Sequence, residues 1–172
     1  LQEGLRLVHN TLVGVNLREN IRIGCAGKVV SAFDIARAMA LGADWCNSAR
    51  GFMLALGCIQ AQACHTGHCP TGVTTQDPVR QQALQVGNKT QRVFNFHQNT
   101  LKALQELVQA AGLTHPGQIG PQHIVRRIDA NDVRSLSQVL PRMAPGALLH
   151  LASATSFAPD DTAPSARQRQ EL

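Results

Sequence analysis

Apolar residues recur at steps of three and four through the first eighteen positions, where Leu5, Val8, Leu12 and Val15 fall on one stripe. That spacing predicts a helix, which Asn20 ends. Ile21-Arg22-Ile23 then alternates and runs into Gly24-Cys25-Ala26-Gly27-Lys28, so a short strand opening into a small-residue loop is expected. Ser31 with Asp34 three residues later reads as a capping box. Behind it Ile35, Ala38, Met39 and Leu41 give a helix over about 31–41 one apolar face that stops at Gly42. Ala43-Asp44-Trp45-Cys46 is the next expected strand, by propensity, and it opens into the polar loop Asn47-Ser48-Ala49-Arg50-Gly51. Strand, loop, helix, strand, loop is the order of a parallel α/β sheet, in which ligands gather at the carboxyl ends of the strands.

Phe52 to Leu56 is short and apolar, and Gly57 then introduces CIQAQACHTGHCPTGVTTQDP, whose Gly, Thr and Pro content is that of a loop. From Thr90 to Ala111 the residues Val93, Phe94, Leu101, Leu104, Leu107, Val108 and Ala111 share one helical face, with Gly112 as a stop. Beyond His115, Pro and Gly recur. Two short amphipathic pieces, Ile119 to Ile128 and Val133 to Leu140, are expected there, and the end from Ser153 is expected to be disordered.

Composition narrows the function classes. The 172 residues are 44% hydrophobic and 16% charged, which excludes wholesale disorder, collagen and a coiled coil. The net charge is +5, but aromatics make up only 3% and there is no Tyr, so the stacking platform of a single-strand nucleic-acid binder is missing and no nucleic-acid partner is expected. Arg126, Arg127 and Arg134 read as a solvated face. No run of about eighteen apolar residues occurs, and charges stand where a signal peptide would be apolar, so a soluble, cytoplasmic chain without a membrane span is expected. Because the chain opens on Leu1 rather than Met, a preceding segment is also expected.

Three of the five cysteines, Cys58, Cys64 and Cys69, crowd into twelve residues, followed at once by Pro70. Without an export signal, metal binding or catalysis is favoured over disulfides. Thiolates at short fixed spacings on a loop can converge on one inorganic centre, and three of them suit a cluster of three irons, one protein ligand each. Zinc is the rival, since His65 and His68 lie inside the motif, although His65 beside Cys64 is poorly placed to share an ion with it. Three buried, inert cysteines are the remaining alternative. Cys25 and Cys46, at the two strand ends, read as small packing residues, and Trp45 as core.

The strand-end loops form a second signal. Gly24, Ala26 and Gly27 leave backbone N–H groups open ahead of a helix, Lys28 adds a positive charge, and Asn47, Ser48 and Arg50 offer more donors, a set suited to phosphate. Such loops follow the last two strands of many (β/α)8 barrels. The plain alternative is an ordinary pair of βα turns with Arg50 in a surface ion pair.

The stretch from Ile21 to Pro78 closely resembles the end of the FMN-binding, iron-sulfur domain of glutamate synthase, nearest the stand-alone FMN-binding members of that family. The specific part is ALGC-x5-C-x4-CP-x-GV-x-TQ, Ala55 to Gln76. The resemblance implies an α/β fold, the last two βα units of a (β/α)8 TIM barrel, followed by an iron-sulfur loop and C-terminal helices. On that reading 1–112 is the end of the barrel domain with the cluster loop at 57–78, 113–152 is a helical extension, and 153–172 is the tail. It also implies Cys58, Cys64 and Cys69 as ligands of a 3Fe-4S cluster, and Gly27, Lys28, Asn47, Ser48, Ala49 and Arg50 as the flavin phosphate site.

The implied reaction is reductive amination of 2-oxoglutarate to L-glutamate through reduced FMN. Nitrogen would come from glutamine or ammonia, and electrons from a ferredoxin or an NAD(P)H-linked partner. Catalytic residues are expected upstream of these positions. Where large glutamate synthases read Asp-Gly-Gly and Gly-Phe-Gly-Thr, this chain reads Ala26-Gly27-Lys28 and Asn47-Ser48-Ala49-Arg50, so its phosphate site leans on side-chain charge. Two strands cannot close a barrel, so the isolated chain is expected to be unstable, associated or aggregation-prone. A small zinc-binding interaction module with a Cys/His loop remains the alternative of another class.

Overall fold

The computed structural model describes residues 1–154. The expected disorder over 153–172 therefore lies, but for its first two residues, outside the described residues. The first helix, α1 (Gln2–Gly14), carries the expected stripe, although only Leu5 of that stripe is buried while Val8 is exposed. Next come β1 (Gly24–Ala26), α2 (Ala32–Ala40) and β2 (Trp45–Asn47), and the two strands pair in parallel with Cys25 opposite Cys46. The expected βαβ order is thus present, each strand beginning two or three residues later than alternation indicated. The cause is Asp44, whose carboxylate accepts the Ile23 N–H at 2.6 Å while its own N–H donates to the Ile23 carbonyl at 2.8 Å. Ile23 is thereby tied to a side chain, and the ladder starts at Gly24.

Helix α2 begins as its sequence dictates. The Ser31 hydroxyl accepts the Asp34 N–H at 3.2 Å, and the Asp34 carboxylate accepts the Ser31 N–H at 3.0 Å, so two end donors are satisfied reciprocally. Its buried face is Ala32, Ala36, Ala38 and Ala40, with Leu41 just beyond, so small side chains let the long helix α5 (Val86–Ala110) pack closely. The core joins Ala36, Ala38 and Ala40 to Leu5, Cys25, Ala43 and Val108, and to Ile119, Ile124 and Leu136 from the C-terminal part. Gly42, with φ at +110°, closes α2; a Cβ there would run into the His9 ring.

Helix α3 (Arg50–Ala55) and the four-residue α4 (Pro78–Gln81) flank the cysteine loop. Helix α3 rests on α5 through an edge-to-face contact of Phe52 with Phe96, centroids 5.1 Å apart. Helix α5 carries the apolar face that the sequence predicts from Thr90, starts four residues earlier, and stops before Gly112 at φ +73°. The region expected as a helical extension is different. It holds an antiparallel hairpin of β3 (Val125–Arg127) and β4 (Val133–Ser135), followed by the short helices α6 (Leu136–Val139) and α7 (Ala147–Ala154). Asp129 makes the hairpin turn by accepting the N–H groups of Asn131 and Asp132 at 2.8 and 2.9 Å, local bonding that apolar periodicity does not register. Arg126 and Arg134 face each other across it in solvent, as a solvated face requires.

Trp45 is not core: it is half exposed and lies over Gly24, where a Cβ would meet the indole at 2.6 Å. Among the described residues neither outer edge of the β1–β2 sheet is paired. No helix among them is long and apolar enough to cross a membrane.

One charged group ties the N-terminal half together. Arg18 donates to the Asp44 carboxylate and the Gly42 carbonyl, both at 2.9 Å, to the Ile21 carbonyl at 2.9 Å and to His9 Nδ1 at 3.1 Å. Burial alone would push the Asp44 pKa up, but the Ile23 N–H and the Arg18 guanidinium outweigh it and hold the carboxyl below its ordinary value. A carboxylate depressed in this way adds stability above its unfolded pKa and loses that contribution as pH falls through the folded one. Asp44→Ala is therefore expected to cost about 2 kcal/mol in urea unfolding at pH 7, since it strands a largely buried guanidinium. The parent should lose stability more steeply than the variant as pH drops below 3.8. Equal unfolding midpoints at pH 7 would show the clasp to be idle.

Candidate functional site

Parallel pairing puts the ends of β1 and β2 side by side, and so brings together the two loops that the sequence singled out. Gly27 takes φ +135° and Lys28 φ +54°, a left-handed conformation that a lysine adopts at some cost and that folds the backbone back on itself after β1. The Ser48 hydroxyl reaches across to the Val29 carbonyl at 2.6 Å and fastens the second loop to the first. Lys28, Asn47, Ala49 and Arg50 are exposed. Neither the Lys28 nor the Arg50 side chain makes a hydrogen bond or ion pair with another described residue, so the surface ion pair weighed for Arg50 is not formed.

The cysteine loop leaves the end of α3, where the Cys58 N–H donates to the Met53 carbonyl at 3.0 Å. Gln60 and Gln62 follow at φ +58° and +57°. Two non-glycine residues in the left-handed region cost on the order of 1 kcal/mol each, strain that a chain retains where a loop must hold a set shape. Cys64 opens a single 3-10 turn, Cys64–Thr66, closed by Gly67. Braces then fix the return: Thr75 Oγ1 to the Gly67 carbonyl at 2.5 Å, Gln81 to the Thr75 carbonyl at 3.1 Å, and Arg80 to the His68 carbonyl at 3.4 Å. Asp77 caps α4 by accepting the Val79 N–H at 2.9 Å. Gly72, at φ +76°, sits so close to α4 that a Cβ would come within 2.5 Å of the Arg80 carbonyl oxygen.

The result is one recess whose wall includes Cys58, Cys64 and Cys69 with Met53, Val73 and Thr74. All five cysteines are free thiols, Cys69 buried, Cys58 half-buried and Cys64 exposed. Cys58 Sγ accepts the Gln60 N–H at 3.4 Å, and Cys69 Sγ contacts Thr71 Oγ1 at 3.4 Å. The hydroxyl of Thr71, then the backbone N–H and hydroxyl of Thr74 beside it, lower the Cys69 thiol to about 6. His65 and His68 are exposed. Among the described residues no three His, Cys, Asp or Glu side chains are grouped so as to hold a metal ion, and this holds for the three cysteines as for the two histidines.

Sequence reasoning passed over Thr71 and Thr74, which wall the recess, and the Gln60 N–H that faces Cys58. A Thr-rich return segment after Cys69 was the available signal.

The family model described as "Conserved region in glutamate synthase" matches residues 1–114. The chain is 37% identical to "Glutamate synthase large subunit-like protein YerD" of Bacillus subtilis over 140 residues, 81% of this chain and 27% of that protein. It is 31% identical to "Ferredoxin-dependent glutamate synthase 2" of Synechocystis over 133 residues, 77% of this chain and 8% of that one. With "Glutamate synthase [NADH]" of Saccharomyces cerevisiae it shares 27% over 156 residues, 90% of this chain and 7% of the yeast protein. The chain thus spans about a quarter of the length of the first relative and less than a tenth of the other two.

Thiol reactivity separates the two cysteine sets. Burial, and then the adjacent Cys25, push the Cys46 thiol up to about 11, while Cys64 is exposed. Iodoacetamide at pH 7.5, followed by peptide mass spectrometry, is expected to modify Cys64 well before Cys46 or Cys25. Labelling of Cys46 at a comparable rate would show that the strand pair opens in solution.

Proposed function

The chain belongs to the glutamate synthase family, and on that premise we propose that it supplies the end of an FMN-binding (β/α)8 barrel and the cluster loop of a glutamate synthase-like oxidoreductase. The observation that carries the reading is the single recess walled by Cys58, Cys64 and Cys69. Donors spread around a recess suit a polynuclear centre, in which each thiolate takes a different iron. The fit is good in kind as well as number: backbone and hydroxyl donors already face the sulfurs of Cys58 and Cys69, which favours the thiolate form a cluster requires. Cys58, Cys64 and Cys69 would hold a 3Fe-4S cluster.

The phosphate of FMN is assigned to the paired loops, with Gly27, Lys28, Asn47, Ser48, Ala49 and Arg50 around it. The support is the fastening of the loops by Ser48 and the two exposed cations, Lys28 and Arg50, whose side chains have no partner among the described residues. An Arg fork matches phosphate oxygens, and a Lys beside it adds a point charge. When bound, the flavin would supply hydride chemistry and the cluster one-electron transfer. This chain's residues bind and orient both groups by standing on one βαβα scaffold, β2 leading into α3 and α3 into the cysteine loop. The overall reaction is amination of 2-oxoglutarate to L-glutamate, with glutamine or ammonia as nitrogen source and electrons from a ferredoxin or an NAD(P)H-linked partner. Its catalytic groups belong to the part of the enzyme outside these 172 residues, and the place of action is the cytoplasm.

Anaerobic preparation of the full enzyme is expected to give a brown protein with about three irons and a matching amount of acid-labile sulfide per chain. Cys69→Ser should lose most of both. Colourless protein with about one zinc and no sulfide would overturn the assignment in favour of the zinc module. In the full enzyme Arg50→Ala is expected to weaken FMN binding by about tenfold or more, the usual worth of a charge-assisted hydrogen bond, as read by flavin fluorescence on titration.

A further inference from the structure

The hydroxyls of the cysteine loop are accounted for with one exception. Thr66 Oγ1 donates to the Ala63 carbonyl at 2.8 Å, Thr75 Oγ1 to the Gly67 carbonyl, and Thr71 Oγ1 contacts the Cys69 sulfur. Thr74 Oγ1 is buried and has no hydrogen-bond partner of good geometry, and among the described residues it is the one buried side-chain oxygen or nitrogen in that condition. A buried hydroxyl left unpaired costs about 1–3 kcal/mol, so its persistence calls for a partner. Thr74 stands in the wall of the recess with Cys69, Met53 and Val73. The acceptor it already acts on is the Cys69 sulfur, whose thiol pKa it helps to lower, though without the geometry of a formed hydrogen bond. What the recess would contain on the reading above is sulfur bearing negative charge, an acceptor with which the hydroxyl can form that bond.

We propose that the Thr74 hydroxyl donates a hydrogen bond to a sulfur of the cluster held by Cys58, Cys64 and Cys69, either an inorganic sulfide or the Cys69 thiolate, and that this bond raises the cluster's reduction potential. The inference rests on the cluster assignment and adds to it a residue that tunes the centre without ligating it. A donor hydrogen bond withdraws electron density from sulfur and stabilises the more negative, reduced state. Thr71 and the Gln60 N–H are already engaged with thiol sulfurs, so they set a baseline and Thr74 adds to it.

Potentials of the anaerobically prepared full enzyme, read by redox titration with electron paramagnetic resonance, test this in the parent, Thr74→Val and Thr74→Ser. Valine keeps the shape and removes the donor; serine keeps the donor. The expected result is full iron and sulfide in all three, a midpoint moved to lower potential in Thr74→Val, and one near the parent in Thr74→Ser. A fully loaded Thr74→Val with the parent's potential would overturn the inference while leaving the cluster assignment standing. A parent that binds no iron and sulfide would remove the assignment and the inference together. Should valine prevent loading, Thr74→Ala gives the same reading without a branched side chain.

Discussion

The position of the strand-end loops depends on the clasp of Arg18 and Asp44. Arg18 holds the Gly42 and Ile21 carbonyls, Asp44 and His9 at once, so one guanidinium joins α1, the run into β1 and the turn after α2. Its side chain is 15% exposed. An ion pair so far out of water costs desolvation, and it is offset here because nearly every donor on the guanidinium and both carboxylate oxygens are used. The consequence is register. With Ile23 bound to Asp44 through side chain and backbone, Cys25 falls opposite Cys46 and Ala26 opposite Asn47, so Gly27 and Ser48 leave the sheet together.

From that register the rest follows by short connections. Ser48 locks the second loop to the first, α3 starts at Arg50, and Phe52 docks it on Phe96 of α5. The cysteine loop then departs from a fixed point and returns under the braces of Thr75, Arg80 and Gln81. Strain at Gln60 and Gln62 is tolerated because the surrounding bonds over-determine the loop. Two adjoining strand-end loops and a thiol-lined recess are thereby placed on one short stretch of chain. Among the described residues the β1–β2 sheet is open at both edges, and Trp45 and Phe33 are half exposed.

Much of this was legible in the residues. The capping box of Ser31 and Asp34, the helix before Gly112, the βαβ order and the cysteine loop were all readable, because each is decided by neighbours three or four residues away. The misreadings share a cause. Strands β1 and β2 were placed too early because Asp44, twenty-one residues from Ile23, sets where pairing begins. Trp45 was taken for core because size and apolarity suggest burial, whereas its strand turns it toward solvent over Gly24. The hairpin at Val125 and Val133 was taken for helix because three-residue strands are too short to show a period of two.

At the site the same division holds. The sequence by itself determined the chemistry on offer: three closely spaced thiols, small-residue loops ahead of helices, and two cations beside them, since residue identity and local spacing are properties of the chain alone. Only the tertiary structure decided that the thiols share a recess without converging on a point, that Ser48 is spent on the Val29 carbonyl while Arg50 is free, and that the Thr74 hydroxyl is buried without a partner. The reason is physical. Whether a polar group is satisfied, buried or left over depends on atoms brought near by the fold from distant positions, and no local pattern carries that information.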